Sequence, residues 1–173
     1  MLSMLRNVSF SVFMLASVAA QAQTPAVPQS MLSGSVTISG AVEHPMTLTL
    51  DQLVMFSPQQ LVDVTGRSGT PAKLKGVLLR ELLKKAGVVA PNHNDTKKII
   101  IIASATDGYK VVFSWSEIFN SSAGNAVIVY TEKDGKPLAD DEGRIALMSG
   151  ADTNPGSRHV KWLNAIEVRK IVD

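Results

Sequence analysis

From residue 35 onward the chain changes hydrophobic period several times, and each change predicts an element. Residues 35–42 (SVTISGAV) and 46–50 (MTLTL) alternate apolar and polar side chains, which predicts two strands. Asp51 stands where a cap for a short helix DQLVMF would sit, with Pro58 to stop it. QLVDVTG reads as a further strand running into a loop at residues 66–73. GVLLRELLKKAG has the period of a helix: Leu78, Leu79, Leu82, Leu83 and Ala86 share one face, charges occupy the other, and Gly87 ends it. KKIIIIASATDGYKVVFS predicts two strands around Asp107-Gly108, with the Ile99–Ile102 run buried on both faces. SWSEIFN is a short helix capped by Ser114, with Glu117 at the capping-box position. NAVIVYTEKDGKPL is a strand and a turn at Asp134-Gly135, and RIALMSG and NAIEVRKIV close the chain as strands. Strands and helices do not alternate regularly, so the prediction is an α+β fold: a strand-rich mixed sheet with short helices, not a doubly wound parallel sheet.

Before residue 35 the pattern is different. Residues 1–22 read as a secretory signal: Arg6, an apolar stretch over residues 8–20, and the small-x-small site Ala20-Gln21-Ala22. The apolar stretch falls short of the ~20 residues of a membrane-spanning helix. Residues 23–34 read as a polar tether, and residues 35–173 as one domain. The expected location is the periplasm, without membrane insertion after signal cleavage.

Composition narrows the chemistry. Of 173 residues 45% are hydrophobic, enough for a core, and the net charge of +2 falls to about +1 without Arg6, which argues against a nucleic-acid partner. There is no Cys, so disulfides, thiolate catalysis and thiolate metal ligation are excluded together. His44, His93 and His159 are scattered without metal-binding spacing. Lys84-Lys85, the KDGK turn and Asp140-Asp141-Glu142 read as solvated charge.

The segment GSRHVKWL, residues 156–163, concentrates what remains: two cations, a histidine and a tryptophan after a Gly- and Pro-containing loop. With GAVEHPMTLTLDQL, LKGVLLRELLKKAG, ATDGYKVVFSWSEI and VIVYTEKDGKPLADDEGRIALMSG, in that order, it resembles the oxidoreductase molybdopterin-binding domain, the sulfite-oxidase (SUOX) fold. In catalytic members of that family a cysteine before a Gly-rich, Arg-bearing loop gives its thiolate to molybdenum. Here the stretch is VDVTGRSG, with Val64 at that place and Thr65 a poor substitute. The size, export signal and missing cysteine resemble small pterin-binding signalling proteins that engage the periplasmic part of an inner-membrane cyclic di-GMP enzyme. The resemblance implies a pterin ligand, with molybdopterin the other possibility and no metal ligated directly by the protein. The alternative is a molybdopterin-dependent oxidoreductase whose metal is held by the dithiolene alone.

A pterin needs a wall for its face, an acceptor for its amino edge and donors for its carbonyl. Gly156, Ser157, Arg158, His159, Lys161 and Trp162 are the candidates within GSRHVKWL, with Arg158 and Lys161 as donors. Trp162 reads equally as a core residue. If extended, the segment would point Arg158 and Trp162 one way and His159 and Lys161 the other, so it must bend for all to meet one ligand. Arg67, Asp107, Tyr109 and Asp152 complete the candidate set, Asp152 as the better acceptor and Asp107 more readily a turn former before Gly108. Loss of Arg158 is expected to weaken binding and leave melting unchanged.

Overall fold

The computed structural model describes residues 32–65 and 69–171. The signal segment and Arg67 lie outside the described residues, as does the tether up to residue 31. Its last residues are held: Ser33 is buried and the Gly34 carbonyl accepts from Leu50 N at 3.0 Å.

Among the described residues, ten strands form two sheets. The first combines β1 (Ser35–Gly40), β2 (Met46–Thr49), β5 (Ile99–Ala105), β6 (Lys110–Ser114) and β10 (Leu163–Lys170) in the order β2-β1-β10-β5-β6. β1 and β10 are parallel; the other pairs are antiparallel. The second holds β3 (Gln60–Thr65), β4 (Pro71–Leu78), β7 (Val127–Lys133) and β8 (Lys136–Pro137) in that order, with β9 (Ala146–Ser149) also on β7, all antiparallel. Three short helices, α1 (Leu50–Val54), α2 (Leu79–Ala86) and α3 (Trp115–Phe119), complete it. This is the predicted strand-rich mixed architecture.

The main core lies between the sheets, where Val36, Ile38, Ile101, Phe113, Ile166 and Val168 meet Val77, Val129, Leu147 and the apolar face of α2. A smaller core covers the opposite face of the second sheet: Val64, Leu74, Leu78, Ile128, Tyr130, Ala146 and Met148. The second sheet is therefore buried on both faces in its middle, and Val127–Thr131 is an unbroken buried run. The prediction put such burial on Ile99–Ile102. Those isoleucines instead alternate, Ile99 and Ile101 buried, Ile100 and Ile102 half-buried, because β5 packs on one face only.

Two element boundaries also move. The cap of α1 is Thr49, which accepts from Gln52 N while the Gln52 side chain accepts from Thr49 N at 2.9 Å; Asp51 sits inside the first turn. Residues 76–78 belong to β4, and α2 starts only at Leu79. Gly76 explains this: a Cβ there would lie 2.1 Å from the Val129 carbonyl oxygen, so the glycine serves a close strand approach at a bulge. At Asp134-Gly135 both residues have positive φ, +52° and +75°, the geometry of a tight hairpin between β7 and β8.

Candidate functional site

GSRHVKWL does bend. Pro155–Arg158 makes one 3₁₀ turn, Val160 exchanges backbone hydrogen bonds with Leu147 beside β9, and Trp162 has φ +50° before β10 begins. The side chains splay in several directions, and almost every polar one is tied to another part of the protein.

Arg158 carries the largest set of ties. Its Nε donates to Asp152 Oδ2 at 2.7 Å, Nη2 to Asp152 Oδ1, and Nη1 to Glu117 Oε1 at 2.5 Å, while the guanidinium lies 4.6 Å from the centre of the Phe113 ring. Ser149 Oγ donates to the same Asp152 carboxylate at 2.7 Å. The Arg158 hydrogen bonds, despite some burial, hold the Asp152 carboxyl below the usual range. Hydrogen bonding to Asp152 first, and to Glu117 after it, pushes Arg158 higher still. Glu117 thus leaves the capping-box role: Ser114 Oγ accepts from Glu117 N at 3.0 Å, but the Glu117 carboxylate reaches Arg158. Both halves of the predicted ligand pair, the donor Arg158 and the acceptor Asp152, are spent on each other.

Lys161 Nζ donates to the Asp141 carbonyl at 3.1 Å, and Trp162 Nε1 to the Asp140 carbonyl at 2.9 Å. Trp162 N donates to the Glu142 carbonyl at 3.1 Å. Gly143 accepts this closeness with φ +85°: a Cβ there would meet Trp162 Cδ1 at 2.6 Å. The half-buried Trp162 therefore clamps the 140–143 loop.

Gly156 and Ser157 are exposed. The Ser157 hydroxyl donates to the Asn154 carbonyl at 2.9 Å, and its own carbonyl accepts from Tyr109 Oη at 2.7 Å. Asp107 accepts from Tyr109 N at 2.9 Å, the turn-forming role. Because Tyr109 is well exposed, Tyr109→Phe is expected to cost less than about 1 kcal/mol in urea unfolding.

His159 points elsewhere, into the second sheet. Its Nε2 lies 2.9 Å from Tyr130 Oη and 3.0 Å from Glu142 Oε1, and Tyr130 Oη also donates to Glu142 Oε1. Lys133 Nζ stands 3.5 Å from Glu142 Oε2. Burial opposes ionisation of Glu142, but the hydrogen bonds from His159 and Tyr130 and the charges of His159 and Lys133 outweigh it and hold its carboxyl down at about 2. Burial, and then the Glu142 charge, push the Tyr130 phenol well above its ordinary value.

Tyr130 and Glu142 line a cavity of about 120 Å³. This is well above the roughly 10–15 Å³ needed to admit a single water. Val64, Ala72, Leu74 and Met148 supply its apolar wall; Thr70, Lys133 and Asp134 its rim. The cavity thus adjoins the place where the family resemblance asks for a metal thiolate, and GSRHVKWL reaches its lining residues Tyr130 and Glu142 through the side chain of His159. Neither Glu142 nor Tyr130 was among the sequence candidates. Glu142 was read as solvated acid, whereas it is buried and multiply bonded. The signals were present: a phenol inside an apolar strand needs a partner, and a glycine after the acidic run marks a tight loop.

A metal finds no fit at Val64. The side chain offers no lone pair and packs toward Gly150, where an added Cβ would meet Val64 Cγ1 at 3.0 Å. Thr65 is exposed, on the opposite side of the strand. Among the described residues no cluster of three His, Asp or Glu is placed to hold an ion. The lining instead has the chemistry for a heterocycle: an apolar wall of Val64, Ala72, Leu74 and Met148 facing the polar groups of Tyr130 and Glu142.

One mixed and one antiparallel sheet, packed face to face, and a small cavity beside the second sheet lined by Glu142 make up the described domain. The chain belongs to the oxidoreductase molybdopterin-binding domain family, which it matches over residues 23–172. Among solved structures it is similar to the sulfane dehydrogenase SoxCD from Paracoccus pantotrophus, with a TM-score of 0.60 and 19% identity. The likeness covers 82% of this chain and 39% of that one, and establishes the fold. A search of curated proteins by sequence finds no match.

Proposed function

We propose that the chain is an exported pterin-binding protein that relays ligand status to the periplasmic part of an inner-membrane cyclic di-GMP enzyme. One observation carries the reading: a buried valine occupies the metal-ligand place while a cavity persists beside it. Family membership supports a pterin-bearing ligand, and the residues favour its ring over its metal. The cavity is walled on one side by the β3–β4 hairpin and on the other by Glu142 of the 140–143 loop. A ligand bridging the two favours their closed arrangement, and a partner preferring that arrangement reads the ligand out. The shift equals the difference in ligand affinity between the two arrangements and no more.

The test is recovery of the protein from the periplasm followed by ligand extraction and elemental analysis. The expected result is a fluorescent pterin at near one per chain with molybdenum well below that ratio. Stoichiometric molybdenum would instead establish the dithiolene-held oxidoreductase, and a chain absent from the periplasm would remove the relay.

A further inference from the structure

We propose that Glu142 determines the ligand specificity of the cavity, by accepting from the exocyclic amino group of an amino-pyrimidinone ring. This rests on the pterin-binding reading and adds to it the acceptor that the sequence had sought in Asp152.

The two oxygens of Glu142 are used unequally. Oε1 is shared by Tyr130 Oη and by His159 Nε2 at 3.0 Å. Oε2 meets Lys133 Nζ at 3.5 Å, long for a charge-assisted hydrogen bond, and a carboxylate offers about four lone-pair sites in all. Acceptor capacity therefore remains on the oxygen that Lys133 only neutralises, in a residue that lines the cavity. Tyr130 and His159 are positioning residues. They hold the carboxylate in one orientation and supply hydrogen bonds that keep it ionised, so Glu142 itself presents only acceptors to the cavity, with the Lys133 ammonium beside it at the rim. An amino group satisfies those acceptors. A carbonyl oxygen directed at the carboxylate meets a negative charge, and a buried acceptor left facing an acceptor is costly to both, so it is disfavoured wherever it does not reach Lys133 instead. Asp152 cannot compete for the role, being held by Arg158 and Ser149.

Pterin and lumazine separate the possibilities, since lumazine is the same bicycle with a carbonyl in place of the 2-amino group. Binding of each to the mature protein is followed by ligand fluorescence at near-neutral pH. The wild type is expected to prefer pterin by at least tenfold, and Glu142→Gln to bring the two within about threefold, with an unchanged circular dichroism spectrum. Glu142→Asp keeps the charge and shortens the reach, and is expected to lose the preference as well; it serves if the glutamine variant does not fold. Equal wild-type binding of both heterocycles, or a preference that survives either substitution, overturns the role of Glu142 and leaves the pterin reading standing. Binding of neither heterocycle by the wild type overturns both.

Discussion

Arg158→Ala should unfold in urea with about 2–3 kcal/mol less stability than the wild type, whatever it does to ligand affinity. The expectation from sequence was the reverse, weaker binding with melting untouched, and the structure supplies the reason for changing it. The Arg158 side chain is only 25% exposed and donates through three N–H groups to two carboxylates, one of them, Asp152, 12% exposed. Removing it leaves Asp152 and Glu117 facing a void without their cation. Breaking a fully buried pair this way costs about 3–5 kcal/mol, and the partial exposure here lowers that figure. The lost guanidinium–Phe113 stacking adds about 0.5–1 kcal/mol. Since Arg158 joins the loop before β10 to α3 and β6, the loss is expected as a change in midpoint, with the slope against urea unchanged. Arg158→Lys should recover less than half, because an ammonium cannot bond both Asp152 oxygens and Glu117 in the plane of a fork. A midpoint within experimental error of the wild type for Arg158→Ala would show that these contacts contribute nothing in solution.

Much of the fold was legible because it is local. The hairpin at Asp134-Gly135, the left-handed Gly87 ending α2 and the Ser114 cap follow from residues next to each other in the chain. The errors came from tertiary demands. Gly76 looked like the first residue of a helix, but it lets β4 approach β7. The four isoleucines of β5 promised burial on both faces. The second sheet received it instead, because a second small core forms around Val64 and Met148. The candidate site divides in the same way. GSRHVKWL stood out as a concentration of unusual residues, yet their partners lie 6 to 41 residues away in the chain: Asp152 and Glu117 for Arg158, Tyr130 and Glu142 for His159, and the 140–141 carbonyls for Lys161 and Trp162. No spacing rule connects those positions. The segment's cations are consumed in tying the 140–143 loop and α3 to β10, and of the loop's three acidic residues it is Glu142 that lines the cavity. Composition had ranked the cations as ligand donors; topology makes them the support for a carboxylate.

That carboxylate sets the second large effect, a loss of stability in acid specific to Glu142. Its folded-state value of about 2 lies below the ordinary 4.5. The stabilisation is therefore complete above about pH 4.5 and is lost as pH falls from there toward 2, where the folded protein too takes up the proton. The difference between the two values corresponds to about 3 kcal/mol, and with an 11% exposed side chain little of it is screened by solvent. Asp152, also held low, adds to the acid sensitivity with the same sign, so the wild-type curve alone cannot assign the effect. Glu142→Gln does so by subtraction. The variant has no carboxyl to titrate at this position, and Tyr130 Oη keeps an oxygen to donate to. It should start less stable than the wild type at pH 6, and the gap should narrow by about 3 kcal/mol as both are unfolded in urea at successively lower pH down to 2. A gap that stays constant across that interval would mean that Glu142 titrates alike in the folded and unfolded chain. The hydrogen bonds from Tyr130 and His159 would then not be what holds the cavity floor together.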